Sequence, residues 1–253
     1  MNQNGSGFLN SIPAVTKNLI IINLLLWVAS LVFLKWGVDL TQLLGLHLPG
    51  SQGFWPHQFI TYMFMHDTHS LSHVFFNMFA VYMFGRVLEN VWGSKRFLTF
   101  YMVSGIGAGL INLLVIYIRL KYLANGLPPE AISDLLVNGA EVLHQGMNYS
   151  DPVLANLNLL MNQTTVGASG AVFGILLAFG MLFPNVPLFL MFIPIPIKAK
   201  YFVLGYGLVE LFLGFSNPGD NVAHFAHLGG MLFGFFMIRY WKKKDAKNGR
   251  YFY

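Results

Sequence analysis

The chain has 253 residues, 55% hydrophobic and only 10% charged, with a mean hydropathy of +0.57 and a formal net charge of +5. A soluble domain carries about a quarter charged residues, so composition excludes an ordinary soluble fold and predicts a membrane protein, an all-α membrane protein by the spans that follow. There is no cysteine, which excludes disulfides and thiolate chemistry. The basic residues lie beside apolar runs, where they set membrane orientation rather than form a nucleic-acid surface.

A crossing helix needs roughly 17–25 predominantly apolar residues, which predicts six spans, at 18–34, 72–92, 97–118, 166–183, 200–215 and 222–241. The first run is preceded by a polar stretch whose basic residue is Lys17, and it lacks a clear small-x-small site. It therefore reads as a span rather than a cleavable signal. Arg86 and Glu89 lie near the end of the second span, three apart on one face and spaced to pair at the interface. The third and fourth spans are joined by an outer insertion, 119–165, whose "LPPEAISDLLVNGAEVL" predicts a short surface helix started after Pro129. The run "PLFLMFIPIPI" (187–197) is too short to cross and reads as an interfacial connection. With the N-terminus inside, twelve basic residues fall on the inner side, and Lys35, Arg119 and Lys121 on the outer. That bias predicts both termini cytoplasmic. The expected organisation is a short inner segment (1–17), a six-helix core (18–241) and a basic inner tail (242–253), in a multi-pass protein of the cell or inner membrane.

The second, fourth and sixth spans run from outside to inside, so their N-terminal ends share one face of the membrane. Their uncommon polar residues, His73, Asn77, Ser169, His224 and His227, all fall within about two turns of the outer end. Ionisable groups in a bilayer are expensive and default to functional hypotheses. Gly170 and Gly174 are four apart on the fourth span, as are Gly230 and Gly234 on the sixth, and small-xxx-small faces let two helix backbones approach. If those faces meet, Ser169 and His227 come within hydrogen-bond reach, the minimum for an activated hydroxyl nucleophile. His73 and Asn77 share one face of the second span and are placed to donate to a developing oxyanion. The unpaired N–H groups at the start of the fourth span point the same way.

These residues resemble the rhomboid family of intramembrane serine proteases. The pieces are H-x-x-x-N at His73 and Asn77, G-x-S-G at Gly167, Ser169 and Gly170, and H-x-x-G-x-x-x-G at His227, Gly230 and Gly234. The resemblance covers about residues 18–241. It implies a six-transmembrane-helix rhomboid-like bundle hydrolysing peptide bonds in or next to transmembrane segments of substrate proteins. It also implies a Ser169–His227 dyad with an oxyanion hole from His73, Asn77 and the Ser169 N–H. Phe173 matches the position of an aromatic that stacks on the histidine, and "GRVLE" with Arg86 and Glu89 resembles a structural motif of the family. The Trp-Arg pair common in the family's first outer loop is not evident; the nearest aromatic is Trp55.

Against this stand blander readings. A lone serine between glycines is more often a packing residue; the company of His227 and His73 reverses that preference. His224 is expected at the mouth, supporting the site. His66, His69 and His73 are spaced as possible metal ligands, but no H-E-x-x-H accompanies them; no metal and no cofactor is expected, and His66 is expected to shape the outer loop by hydrogen bonding. Glu210 is an intramembrane acid, either a proton-relay group or merely interfacial, and Asp220 is given no role. The expected partners are substrate transmembrane segments and the lipid bilayer, with no nucleic acid. The alternative function is a non-proteolytic relative that binds membrane helices. A channel or transporter is disfavoured because no internal repeat is visible.

Overall fold

A computed structural model describes residues 11–190, 193–216 and 223–249 of the chain. Its first element, α1 (Ala14–Leu34), buries Thr16, Leu19, Asn23 and Ser30, whereas Ile22, Leu25, Val28 and Val32 are exposed. Thr16, Asn23 and Ser30 recur every seven residues, so a narrow polar stripe faces the protein and an apolar surface faces out. That is the reverse of a water-soluble amphipathic helix, and it is what a lipid solvent selects. Two of its members donate within the helix: Asn23 Nδ2 to the Leu19 carbonyl at 2.7 Å and Ser30 Oγ to the Leu26 carbonyl at 2.9 Å.

The connection that follows contains α2 (Leu40–Leu44), α3 (Gln58–Thr61) and a 3₁₀ turn, Tyr62–Phe64. Gln58 is fully buried and organises the loop with both ends of its amide. Its Oε1 accepts from the His47 and Trp55 N–H groups, and its Nε2 donates to the carbonyls of Leu43 and Gly53. Trp55 itself is exposed. His66 is buried edge-on against the His73 ring, with centroids 5.1 Å apart. That ring contact stands in place of the hydrogen bonding expected of it.

The helices α4 (Leu71–Ala80) and α5 (Arg86–Trp92) are joined without a break by a π-helical turn, Val81–Gly85. The expected Arg86–Glu89 pairing gives way to different partners. Arg86 lies over the Tyr82 ring and donates to its hydroxyl at 3.0 Å. Glu89 is buried and caps the start of α1, accepting from the backbone N–H groups of Val15 (3.0 Å) and Thr16 (2.7 Å), and from the hydroxyls of Thr16 and Ser94. A carboxylate at the amino end of a helix meets unpaired N–H groups and the positive end of the dipole, which outweighs a weak pair along its own helix.

At the centre lies α6 (Ser94–Leu123), packed against the two helices that carry the later motifs. It buries Phe97, Phe100 and Tyr101 at one end and the small residues Ser104, Gly105, Gly107, Ala108 and Gly109 further along. Beyond it, α7 (Pro129–His144) starts at the proline-marked position. A second insertion helix, α8 (Pro152–Asn162), was not anticipated, although its start is legible. Asp151 accepts from the N–H groups of Val153 and Leu154, and Pro152 occupies the first helical position.

The last part comprises α9 (Ser169–Leu182), an antiparallel hairpin of β1 (Pro187–Leu190) and β2 (Ile193–Lys198), then α10 (Ala199–Ser216) and α11 (His224–Lys247). The one two-stranded sheet among the described residues thus lies in this connection. The C-terminal end of α11 is tied to α6 by a bidentate pair, Arg96 to Asp245, at 2.8 and 3.0 Å. The chain is an all-α membrane protein in character. Four helices among the described residues are long and apolar enough to cross a membrane: Ala14–Leu34, Leu71–Trp92, Ser94–Leu123 and Ala199–Ser216. The two others expected to cross differ for physical reasons. With only 14 residues, α9 spans about 21 Å at 1.5 Å per residue. In α11 the second half carries Arg239, Lys242, Lys243, Lys244 and Asp245. Asp220 lies outside the described residues.

Candidate active site

Ser169 is presented by a segment that is fastened before the helix begins. Leu46 and Thr165 exchange both backbone hydrogen bonds at 2.9 Å, and Asn112 donates to the Thr165 hydroxyl at 3.0 Å. Two residues on, the Gly167 N–H donates to the Tyr62 carbonyl at 3.0 Å, while the Tyr62 hydroxyl is held by the Gly105 carbonyl at 2.6 Å. Gly167 has φ +128°, a conformation that L side chains rarely adopt. It is also a place without room: a Cβ there would lie 2.9 Å from His73 Nε2 and 3.5 Å from Ser169 Oγ. His73 and the serine hydroxyl therefore border the same small space above Gly167. Ser169 opens α9, so its own N–H and the next few have no carbonyl one turn earlier within the helix.

The glycine faces meet as the spacing predicted. A Cβ on Gly230 would collide with the Gly170 carbonyl, and one on Gly234 would lie 3.4 Å from Gly174 Cα. With backbone against backbone, α9 and α11 bring Ser169 Oγ to 2.9 Å from His227 Nε2. The imidazole is held flat by Phe173, whose ring stacks on it at 4.2 Å with 6° between the planes. The Tyr206 ring on α10 packs against Phe173 in turn, tilted by 56° at 4.8 Å between centroids.

A fourth helix completes the cluster. Glu210 is one of three buried residues of α10, with Ala199 and Val203, and its side chain is 6% exposed. Its Oε2 lies 2.8 Å from His227 Nδ1 and 2.6 Å from His224 Nδ1. An ionised carboxylate oxygen only accepts, so with Glu210 charged each of these Nδ1 atoms carries a hydrogen, and a neutral His227 ring in that state presents an unprotonated Nε2 to the serine. A buried carboxylate is tolerated when hydrogen bonds replace its water, and two imidazole N–H groups do so here. His224 is 5% exposed, so it lies within the cluster rather than at the mouth.

Of the residues singled out from the sequence, Ser169, His227, Phe173, His224, Gly170 and Gly230 are brought together, and His73 adjoins them across Gly167. Asn77 is buried one turn along α4 and donates one of its amide N–H bonds to the His73 carbonyl at 2.9 Å. The described residues that could hold a metal are Glu210, His224 and His227, a different set from the His66, His69 and His73 spacing. The link that sequence reasoning left open is Glu210. Its signal was present: between Lys200 and Ser216 it is the single charge in an otherwise lipid-compatible helix.

Comparison with known proteins agrees with the helical membrane architecture. The chain is similar to the RHOMBOID-like protein 12, mitochondrial, of Arabidopsis thaliana, 27% identical over 176 residues. That alignment covers 69% of this chain and 43% of the relative, so the chain spans less than half of that protein's length. A family model matches residues 17–251. The chain thus belongs to the family described as eukaryotic integral membrane protein (DUF1751).

Proposed function

We propose that this protein is a rhomboid-type intramembrane serine protease, hydrolysing peptide bonds within or next to the transmembrane segments of other membrane proteins. The observation that carries the reading is the 2.9 Å approach of Ser169 Oγ to His227 Nε2, between two helices in backbone contact. A hydroxyl is a weak nucleophile until a base within about 2.6–3.2 Å takes its proton.

In this reading His227 accepts the Ser169 proton at Nε2 as Oγ bonds to the scissile carbonyl carbon. The carbonyl π pair moves onto oxygen, where the Ser169 N–H, His73 and Asn77 donate to it. The C–N bond then breaks, and the proton on Nε2 leaves with the amine. Water repeats the sequence on the acyl ester and restores the serine. Phe173 keeps the imidazole plane fixed throughout, and no metal or cofactor takes part.

The short α9 suits this chemistry. Its 21 Å falls short of a hydrocarbon core of about 30 Å, so a helix that ends at the inner surface begins several ångströms below the outer one. Ser169 then lies within the membrane's depth, reached by water from outside. All six helices α1, α4–α5, α6, α9, α10 and α11 cross in this arrangement. They form the core at 18–241, with α7 and α8 in the outer insertion 119–165. The segments 1–17 and 242–253 are cytoplasmic, on the side of the basic residues, at the cell or inner membrane. Substrate helices enter from the lipid and expose a carbonyl where locally weak helix formers let them unwind.

The test is cleavage of a transmembrane substrate in liposomes by the wild type, Ser169→Ala and His227→Ala. Each substitution is expected to lower turnover at least about 10³-fold; wild-type turnover in either variant ends the assignment. A fluorophosphonate adduct on Ser169 is the second readout. Binding of a substrate helix without any adduct would instead identify a non-proteolytic helix-binding protein.

A further inference from the structure

We propose that Glu210 is the positioning residue of a three-membered relay, Ser169–His227–Glu210, with His224 clamping the carboxylate in place. The proposal rests on the protease reading and deepens it, because the family resemblance implies a serine–histidine dyad alone. Four side chains from three helices line up in order: Ser169 on α9, His227 on α11, Glu210 on α10 and His224 on α11. Successive distances are 2.9, 2.8 and 2.6 Å.

An isolated imidazole has two tautomers and rotates about its side-chain bonds, and only one tautomer in one orientation accepts a proton from serine. Phe173 stacking fixes the ring plane but not which nitrogen carries hydrogen. Glu210 makes that choice, since its oxygen accepts only from an Nδ1–H. It does so from a buried position where water does not compete. When Nε2 takes the serine proton, the positive imidazolium forms directly against the negative carboxylate, and no bond to Glu210 is made or broken. The proton stays on His227 until it passes to the leaving amine.

His224 has a separate task. One Nδ1–H donor would leave the carboxylate free to rotate about its side chain; a second donor on the same oxygen, from one turn earlier on α11, holds it toward His227. The geometry distinguishes this from a metal site. Ligands on a tetrahedral zinc with bonds of about 2.0 Å stand about 3.3 Å apart, whereas Glu210 Oε2 sits at 2.6 and 2.8 Å from the two nitrogens, the spacing of hydrogen bonds to a charged acceptor.

The experiment compares wild type, Glu210→Gln and Glu210→Asp in the liposome cleavage assay, with thermal midpoints of each. Gln keeps the volume and loses the charge. Its amide can also donate to Nδ1 and hold the wrong tautomer, which in a comparable serine-protease relay lowers kcat about 10⁴-fold. The expected outcome is a kcat loss of about 10³–10⁴-fold for Glu210→Gln with KM unchanged, and partial rescue by Glu210→Asp. Wild-type kcat in Glu210→Gln overturns the relay while leaving the protease assignment intact, because Ser169 and His227 are tested in the same assay. An equal loss in the Asp and Gln variants, tracking lowered thermal midpoints, also overturns it by assigning Glu210 a purely structural role. Loss of wild-type activity on chelation, restored by zinc, overturns it in favour of a metal. If Glu210→Gln does not fold, ¹⁵N spectra of histidine-labelled wild type decide: a His227 ring protonated at Nδ1 is expected, and one protonated at Nε2 refutes the relay.

Discussion

Replacing Gly230 by alanine isolates the contact on which the catalytic geometry depends. The new Cβ would fall on the Gly170 carbonyl and lie 3.2 Å from Gly170 Cα. These are main-chain atoms of a helix, so no side chain can swing aside to make room. Restoring an ordinary separation of about 3.5 Å requires α9 and α11 to part by on the order of 1.5 Å near this point. Ser169 and His227 lie within a turn of it, and their 2.9 Å bond would stretch past hydrogen-bond range. Misplacement of reacting groups by about 1 Å costs about 10²-fold in rate, and overpacking costs about 1–3 kcal/mol in stability. We therefore expect Gly230→Ala to be phosphonylated at Ser169 about 10²-fold more slowly than wild type, with a lower thermal midpoint in detergent. Gly205→Ala is the control, because a Cβ at Gly205 in α10 meets nothing within 4 Å; it should behave as wild type. A Gly230→Ala protein with unchanged labelling rate and midpoint would refute the close helix contact and the geometry built on it.

Two further predictions concern the scaffold. Glu89→Ala removes the acceptor of the Val15 and Thr16 N–H groups and of two hydroxyls. Each stranded buried donor costs about 1–3 kcal/mol, so the thermal midpoint should drop sharply, and less so in Glu89→Gln; an unchanged midpoint in Glu89→Ala would dismiss the cap. His66 lies outside the spanning helices, and burial, reinforced by the neighbouring His73, lowers its pKa from the ordinary 6.5 to about 3. The unfolded chain therefore binds a proton that the folded one refuses between those values. The stability His66 lends is present above pH 6.5 and is lost as pH falls toward 3, by about 1.4 kcal/mol per unit, or about 2 kcal/mol between pH 6.5 and 5. The thermal midpoint should fall over that interval, and His66→Phe should flatten the fall; an identical slope in the variant would show that His66 is not the group responsible.

Much of the membrane architecture is legible in the sequence, because a bilayer admits only helices that satisfy their own backbone, and such helices must be long and apolar. The existence and approximate place of α1, α4–α5, α6 and α10 follow from that requirement, although α1 begins four residues before its apolar run and α6 extends five beyond its own. The glycine spacing on α9 and α11 is equally readable, since only absent side chains let backbones touch. Local signals also mark α7 and, less conspicuously, α8, whose Asp-Pro start lies inside a segment read only as an outer insertion. The rest depends on rotation and distance between helices, which no local pattern encodes. The pairing of Glu89 with the start of α1 joins residues 73 and 74 apart, and its rival partner Arg86 was nearer in sequence but not in energy. The same holds for Glu210: its charge made it conspicuous, but which way α10 turns its one acidic side chain is decided by packing against α9 and α11. Only the tertiary structure brings that carboxylate to the two imidazoles, because a buried charge finds its hydrogen-bond donors across helices rather than along one.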